Sequence, residues 1–464
     1  MYVINAVMVP HPPLIIHDVG HGEERRIKAT TDAYASAAEF IKASKPETII
    51  ITSPHAPMYY DYFHISPGNG AKGDFSAFGA KNVRFCVEYD KEFTTELENK
   101  AREMDFPAGT LGEKDGRLDH ATMIPLYFIE KAYGNEKLPP IVRIGLSGLP
   151  LTEHYRLGML IRDTAKKLSR RISIVASGDL SHRLKPDGPY GFSADGPEYD
   201  KKIMSAMENA DFGELFSFSE AFCESAGECG HRSFTIMAGC FDGFDVKAKK
   251  LSYEGPFGVG YGVCLFEPGK ENTLRSFLKN EEERRREEAE KRTAKEDEYV
   301  RLARMTVEEY VKNGKKIEPP QWALEEMGSQ KAGAFVSLHI DGALRGCIGT
   351  IAPTRKNIAE EIIQNGISAC SDDPRFPAVR EKELAFLEYS VDVLSEAEDI
   401  SSKDELDIKK YGVIVTKGYR RGLLLPDLEG VNSVEEQIEI AKKKAGIRPD
   451  ETVRLQRFEV VRHV

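Results

Sequence analysis

Residues 172–182 read Ile-Ser-Ile-Val-Ala-Ser-Gly-Asp-Leu-Ser-His, an apolar β-branched run followed at once by Gly, Asp and His. Such a run is typical of a buried strand that delivers polar side chains at its carboxyl end. The pattern occurs twice earlier, where residues 2–9 lead to His11 and residues 48–52 lead to His55. In open α/β sheets, ligands bind at the edge formed by the carboxyl ends of the strands. The sequence therefore predicts that imidazoles gather at one edge of a sheet.

The chain is too long for one ordinary core, since it has 464 residues. Strand-like and helical runs alternate over residues 1–268, which predicts an α/β domain with a largely parallel central sheet. Residues 269–296 are rich in Glu, Arg and Lys, and we expect a solvated helical linker there. Residues 297–464 combine amphipathic helices with alternating strands, which predicts a second, α+β domain.

Composition narrows the classes of protein. Apolar residues make up 41% and charged residues 30% of the chain, and no run approaches the length of a membrane helix. No secretion signal is recognised, and seven scattered cysteines do not suggest a disulfide framework, so we expect a cytoplasmic protein. The net charge of −11 argues against a nucleic-acid partner. A homo-oligomer is compatible with these features.

His11 and His55 each follow a strand and each neighbour prolines that stiffen the loop. Two histidines and one carboxylate with open positions are typical of non-haem Fe(II) sites, and residues 225–231 offer a third ligand. The alternative is that each histidine caps its strand with a backbone hydrogen bond.

Two further histidines each lie beside an acid: His120 follows Asp119, and His182 lies three residues after Asp179. A nearby carboxylate can fix the tautomer of an imidazole and adapt it to general acid/base work. Residues adjacent in sequence often point apart, so the sequence leaves this pairing open.

Five segments resemble, in order, motifs of the class III extradiol ring-cleavage dioxygenases, the LigB-type catalytic subunits to which Memo proteins are similar. They are residues 9–13, 53–57, 118–122, 177–182 and 226–230. The resemblance covers residues 1–268 and implies an oxidoreductase that acts on a small catecholic or related aromatic substrate and O2.

The resemblance also implies roles for single residues. His11 and His55 match the family's metal-ligand histidines, His182 its acid/base histidine with Asp179 beside it, and His120 the histidine that meets substrate and dioxygen. The family's third ligand is a glutamate, here Glu228. Memo proteins place a cysteine in a similar context, which would make Cys229 the ligand instead. Fe(II) is the expected ion, and a thiolate ligand would favour Zn or Cu(I).

The second domain resembles the AMMECR family. Residues 344–350 carry that family's hallmark, and residues 372–376 and 422–426 fit the rest. Cys347, between glycines and near Arg345, could be a reactive thiol because cations lower thiol pKa values; Asp373 could line the same polar cleft. The alternative is a packed, inert cysteine and a structural ion-pair network.

Proteins similar to each half are grouped with a radical-SAM protein in an AmmeMemoRadiSam system, which implies such a protein as a partner in a modification pathway. Two other hypotheses remain open at this point. One is a non-catalytic, metal-binding interaction protein on the same fold. The other makes the C-terminal domain the active part, as a Cys347-dependent modifying enzyme.

Overall fold

The computed structural model describes residues 2–114, 116–340, 342–428 and 430–464. The chain divides into two compact units, residues 1–282 (unit 1) and residues 283–464 (unit 2). Among the described residues, no helix is long and apolar enough to cross a membrane.

Unit 1 contains ten strands and nine helices among its described residues, counting the helix at its boundary. The strands are β1 (Val3–Val9), β2 (Thr48–Ser53), β3 (Phe63–His64), β4 (Gly70–Phe75), β5 (Ala80–Glu88), β6 (Ala108–Gly109), β7 (Ile141–Gly145), β8 (Ile172–Ser177), β9 (Phe244–Glu254) and β10 (Tyr261–Glu271). The helices are α1 (His17–Gly20), α2 (Lys28–Ser44), α3 (Lys91–Glu103), α4 (His120–Tyr133), α5 (Leu151–Leu168), α6 (Asp195–Glu208), α7 (Glu220–Ala226), α8 (His231–Gly239) and α9 (Phe277–Thr293).

A six-stranded sheet with the order β7-β2-β8-β1-β10-β9 forms the centre of unit 1. The first four strands pair in parallel, and β10 and β9 continue the sheet antiparallel. The predicted α/β fold with a largely parallel sheet is confirmed. Strand β9 forms one edge of the sheet. Lysines alternate with apolar residues along part of it, as is common for edge strands.

Both faces of this sheet are buried, which explains the nearly continuous apolar runs of its strands. On β8, Ile174 and Ala176 belong to the core on one face, whereas Val175 belongs to the core on the other. Successive side chains of a strand point to opposite faces, so each strand contributes to two cores.

The order of the parallel strands brings the histidines together. The strands β2, β8 and β1 are neighbours and run in the same direction, so their carboxyl ends lie side by side. His11 follows β1, His55 follows β2, and His182 follows β8. His120 enters from a fourth segment as the first residue of α4.

Unit 2 is built on an antiparallel, curled sheet with helices, which confirms the predicted α+β class. The strands are β11 (Ala334–Ile340), β12 (Ala343–Gly349), β13 (Glu388–Leu394), β14 (Glu398–Ile400), β15 (Tyr411–Lys417), β16 (Arg420–Leu424) and β17 (Arg454–His463). The helices are α10 (Glu298–Asn313), α11 (Gln321–Met327), α12 (Ile358–Ser371) and α13 (Val434–Lys444). The main path of the sheet is β12-β11-β13-β17-β15-β16, and β14 pairs with β17.

The predicted charged linker, residues 269–296, overlaps the end of β10 and the whole of α9. Its middle portion is helical, and the boundary between the two compact units falls inside this helix. The domain limits at residues 268 and 297 stay a prediction.

Candidate metal centre

His11 is held in one orientation by the ends of two neighbouring strands. Its backbone N–H donates to Oδ1 of Asp179 at 2.7 Å, and its Nδ1 lies 3.1 Å from Oγ of Ser177. The residue is 2% exposed. Because Nδ1 is engaged by the hydroxyl, Nε2 is left to face the centre of the site.

Three imidazoles converge there. Nε2 of His11 and Nε2 of His55 are 3.2 Å apart. His120 completes a group in which one nitrogen of each ring lies within 4.8 Å of the others. Its ring centroid is 4.3 Å from that of His55 and 5.4 Å from that of His11. Among the residues that the structure describes, this is the group whose ligand atoms could hold a metal ion.

The surroundings of these histidines favour their neutral form, because they lower the imidazole pKa values. Burial, followed by repulsion from the other histidines, lowers the pKa of His11 well below its usual value. Burial lowers the pKa of His55, and burial with repulsion from His55 lowers the pKa of His120 to about 4. Neutral imidazole is the form that binds metals.

Asp119 stabilises the N-terminus of α4, so its role is not limited to the neighbouring His120. Its carboxylate caps the helix by accepting the N–H of Thr122 at 2.9 Å. It also accepts the hydroxyl of Ser53 at 2.7 Å, and Arg143 lies 3.7 Å away. Asp119 thus connects the end of β2, which precedes His55, with helix α4, which begins with His120.

The two candidates for the third ligand have different surroundings. Sγ of Cys229 lies 3.6 Å from Nε2 of His11 and 3.3 Å from the backbone N of Asp179. The carboxylate of Glu228 instead accepts the N–H of His231 at 2.6 Å, at the start of α8. Cys229 therefore adjoins the histidines, while Glu228 serves the helix terminus. Burial, with the nearby charges of Asp179 and Glu228, raises the pKa of the Cys229 thiol.

His182 lies at the rim of the same site. Its Nε2 is buried and has no hydrogen-bond partner among the described residues. Burial, and then repulsion from His55, lowers its pKa to about 4. The ring stacks on the exposed Tyr190 with centroids 5.1 Å apart. Oδ2 of Asp179 is 4.0 Å from Nε2 of both His182 and His11, and burial raises the pKa of Asp179 to about 7.

A cavity of about 400 Å³ opens beside His55. It is lined by His55, Ala56, Pro57, Met58, Tyr59, Glu113, Arg117, Asp119 and Arg143. Neither of the two arginines in this lining was predicted from the sequence as a site residue. Arg143 left a signal, because it is a charged residue inside the apolar strand β7, where it is 2% exposed.

In unit 2, the structure places the three predicted residues in different roles. Arg345 does not contact the thiol of Cys347, because its guanidinium binds Glu383 at 2.7 Å and two backbone carbonyls. Asp373 accepts the backbone N–H of Cys347 at 2.9 Å. The arginine that does reach Cys347 is Arg375, which donates to its carbonyl oxygen at 3.1 Å.

Two family profiles match this chain. Residues 5–264 match the catalytic LigB subunit of aromatic ring-opening dioxygenase, and residues 300–463 match AMMECR1.

Individual relatives carry uninformative names. Protein CA_C1420 of Clostridium acetobutylicum is 43% identical over 464 residues, which covers 98% of each chain. A protein of Thermotoga maritima is 54% identical over 167 residues, 36% of this chain and 96% of its own. Among solved structures, the uncharacterized protein PH0010 from Pyrococcus horikoshii is 37% identical, covers 35% of this chain and 88% of its own, and has a TM-score of 0.34. The uncharacterized protein JW3007 from Escherichia coli K12 is 15% identical, covers 56% and 99%, and has a TM-score of 0.38.

Proposed function

Since the chain belongs to the LigB family of aromatic ring-opening dioxygenases and carries an AMMECR1 domain, we propose that unit 1 is a metal-dependent, extradiol-type dioxygenase. The observation that supports this proposal most directly is the convergence of His11, His55 and His120 on one point. Three strand ends and the start of α4 supply the imidazoles around that point, and the loop before α8 supplies the thiol.

The side chains present fit a metal ion. The Nε2 atoms of His11 and His55 are 3.2 Å apart. They can share a hydrogen bond only if one of the two rings carries its proton on Nε2. Within the described part of the chain, the buried Nε2 of His182 also lacks the partner that buried polar atoms normally have. We propose His11 and His55 as ligands, with Cys229 as the third. Fe(II) is the proposed ion, and the thiolate leaves Zn and Cu as alternatives.

When bound, the ion would supply Lewis acidity and, in the case of iron, redox chemistry toward O2. The chain itself supplies position and proton transfer. Burial lowers the pKa of His182 and so favours its neutral imidazole, which can accept a proton from a phenolic hydroxyl. Asp179 lies 4.0 Å from that ring and holds the backbone of His11, so it positions both. His120 is the proposed contact for the substrate beside His55.

The cavity beside His55 is the proposed place for a small catecholic or related aromatic substrate. Its volume of about 400 Å³ lies within the usual range of small-molecule sites. The lining combines the side chains of Pro57, Met58 and Tyr59 with the charged groups of Asp119 and Arg143. Unit 2 is proposed as an accessory domain in a pathway that also uses a radical-SAM protein.

The test is oxygen consumption by the full-length protein loaded anaerobically with Fe(II) and mixed with a panel of catechols. Uptake of O2 with the appearance of a coloured ring-opened product is the expected result. His182→Gln should keep its metal and lose activity by about a hundredfold or more, whereas His339→Gln, on β11 of unit 2, should match the wild type. Stoichiometric iron with no O2 uptake for any catechol would reject the proposal.

A further inference from the structure

Arg143 is a buried cation in the wall of the cavity beside His55. It lies in the middle of β7, it is 2% exposed, and it lines the cavity together with His55. Transfer of a charged group from water to a protein interior is costly unless the group is paired and hydrogen-bonded. The partners of this guanidinium therefore decide what the cavity can bind.

Two neutral acceptors hold the guanidinium of Arg143 by hydrogen bonds. Its Nε donates to Oγ of Ser66 at 2.7 Å, and its Nη1 donates to the backbone carbonyl oxygen of Arg117 at 2.7 Å. A guanidinium offers five N–H donors in a planar fork, so these two bonds leave most of its donors unused. In particular, Nη2 makes no hydrogen bond to any residue that the structure describes. The side chain is thus fixed in place while part of its fork has no acceptor.

Asp119 offsets the charge of Arg143 only in part. Its Oδ2 lies 3.7 Å from Nη1 of Arg143, which is too far for a hydrogen bond. The same carboxylate already accepts the hydroxyl of Ser53 at 2.7 Å, and the N–H and hydroxyl of Thr122 at 2.9 Å and 2.8 Å. The remaining acid and base of the lining, Glu113 and Arg117, are exposed to solvent, which screens their charges. Within the described part of the chain, the buried guanidinium therefore has no hydrogen-bonded anion.

From this arrangement we infer that Arg143 is a specificity-determining residue, and that the substrate of unit 1 carries a carboxylate on its aromatic ring. The inference rests on the ring-opening activity proposed above. A planar guanidinium binds a carboxylate through two parallel hydrogen bonds, which fix the orientation of the bound molecule. Since Arg143 and His55 line the same cavity, one substrate molecule contacts both. Arg143 binds the carboxylate, and the rest of the ring is then held in one orientation beside His55.

Two ligands of the same shape separate the effect of charge from that of size. The carboxylate of 3,4-dihydroxybenzoate presents two acceptor oxygens and a negative charge to the guanidinium. The amide of 3,4-dihydroxybenzamide presents one acceptor oxygen, no charge, and N–H donors that a guanidinium cannot accept. The acid should therefore bind more tightly than the amide if Arg143 contacts this substituent.

The test is the binding of both compounds to the full-length protein at pH 7 without added iron, measured by isothermal titration calorimetry. The Kd of the acid should be lower than that of the amide by about tenfold or more, because charge-assisted hydrogen bonds are about twice as strong as neutral ones. Salt at about 1 M should leave most of this preference, since buried charges are screened much less than exposed ones. A preference that salt abolishes would place the anion at a surface charge and would overturn the inference.

Variants assign the preference to Arg143. Arg143→Gln should bring the two affinities together, whereas Arg84→Gln, which removes the same charge from an exposed position of β5 outside the lining, should keep the preference of the wild type. Asp119→Asn can still cap α4. It should strengthen binding of the acid by about fivefold and leave binding of the amide unchanged, since a unit charge about 4 Å away has that effect in water. A purely structural role of Arg143 predicts no such selective gain.

The comparison in the wild type decides the question even where Arg143→Gln does not fold. Equal affinity of the wild type for the acid and the amide would overturn the inference, and so would an unchanged preference in a folded Arg143→Gln variant. Because no iron is added, these results are distinct from the O2 test of the proposed function. Absence of O2 uptake rejects the reaction, whereas absence of the acid preference rejects the role of Arg143.

Discussion

Gly178 and Gly230 pack backbone against backbone: a Cβ on Gly178 would lie 2.1 Å from the Cα of Gly230. The contact joins the loop after β8, which carries Asp179 and His182, to the loop that carries Cys229. The backbone N–H of Asp179 reaches Sγ of Cys229 across it. The absence of two side chains is thus what allows the thiol to approach His11.

Substitution of Gly178 by Ala should therefore disturb both stability and metal binding. Overpacking of a backbone contact lowers the free energy of unfolding by about 1–3 kcal/mol, and separation of the two loops should weaken metal affinity as well. Urea unfolding and metal titration measure the two effects. Gly366→Ala, within α12, is the control, because a Cβ there meets its nearest neighbour, Cγ2 of Thr306, at 3.5 Å and because Ala is the better helix former. Equal behaviour of the two variants would contradict this account of the contact.

Removal of two imidazoles should abolish metal binding. In the double variant His11→Ala, His55→Ala, metal content after purification should fall to background, whereas the wild type should retain about one first-row ion per chain. Elemental analysis by mass spectrometry measures this. His339→Ala, a histidine of β11, should leave the metal content unchanged. A double variant with full metal content would show that the ion is held elsewhere.

Cys229 and Glu228 should respond differently to substitution. Cys229→Ala should weaken metal affinity by at least about tenfold, since Sγ adjoins His11. Glu228→Gln should leave metal affinity nearly unchanged, because the side-chain oxygen accepts the N–H of His231 at the start of α8 and an amide oxygen can do the same. Competition with a chromogenic chelator measures both affinities. The reverse order of effects would make Glu228 the ligand.

Asp200 should make stability depend on pH. It accepts the N–H of Ser181 at 2.8 Å and the hydroxyl of Tyr253 at 2.7 Å, and burial raises its pKa to about 7. Between the ordinary carboxyl pKa of about 4 and pH 7, the unfolded chain loses this proton while the folded chain keeps it. The free energy of unfolding therefore falls as pH rises through that range.

The variant Asp200→Asn has no carboxyl group at this position. Its free energy of unfolding should therefore not fall for this reason as pH rises. Relative to the wild type, its free energy of unfolding should rise by up to a few kcal/mol between pH 4 and pH 8, as measured by urea unfolding at several pH values. Asp32→Asn, at an exposed position of α2, should show no such trend. A difference between Asp200→Asn and the wild type that stays constant with pH would contradict the assignment.

The sequence predicted the fold because local and global signals agree in its parallel strands. β-branched runs buried on both faces, each followed by a polar loop, are typical of a parallel sheet, as at residues 172–182. Both family resemblances are confirmed by the matches to residues 5–264 and 300–463. The strand β9 was not predicted, because its alternating lysines are typical of a solvated edge and carry no apolar run.

The site was only partly predictable. Proximity of His11, His55 and His182 was expected because each follows a strand of a parallel sheet, but the membership of His120 in the cluster depends on the packing of α4 against the sheet. The choice between Glu228 and Cys229 depends on one backbone turn before α8, which adjacency in sequence cannot indicate. In unit 2, Arg345 was the nearer cation in sequence, yet the tertiary fold brings Arg375 to Cys347 and gives Arg345 to Glu383. The roles of these residues stay predictions.

The junction between the two units falls within the single helix α9. Because one chain carries both, each copy of the protein contains one histidine cluster and one Cys347 thiol, whatever the expression level. Dilution cannot part them, because covalent linkage replaces a bimolecular encounter with a fixed effective concentration. Any activity that needs both would scale with the first power of protein concentration, unlike an assembly of two separate chains.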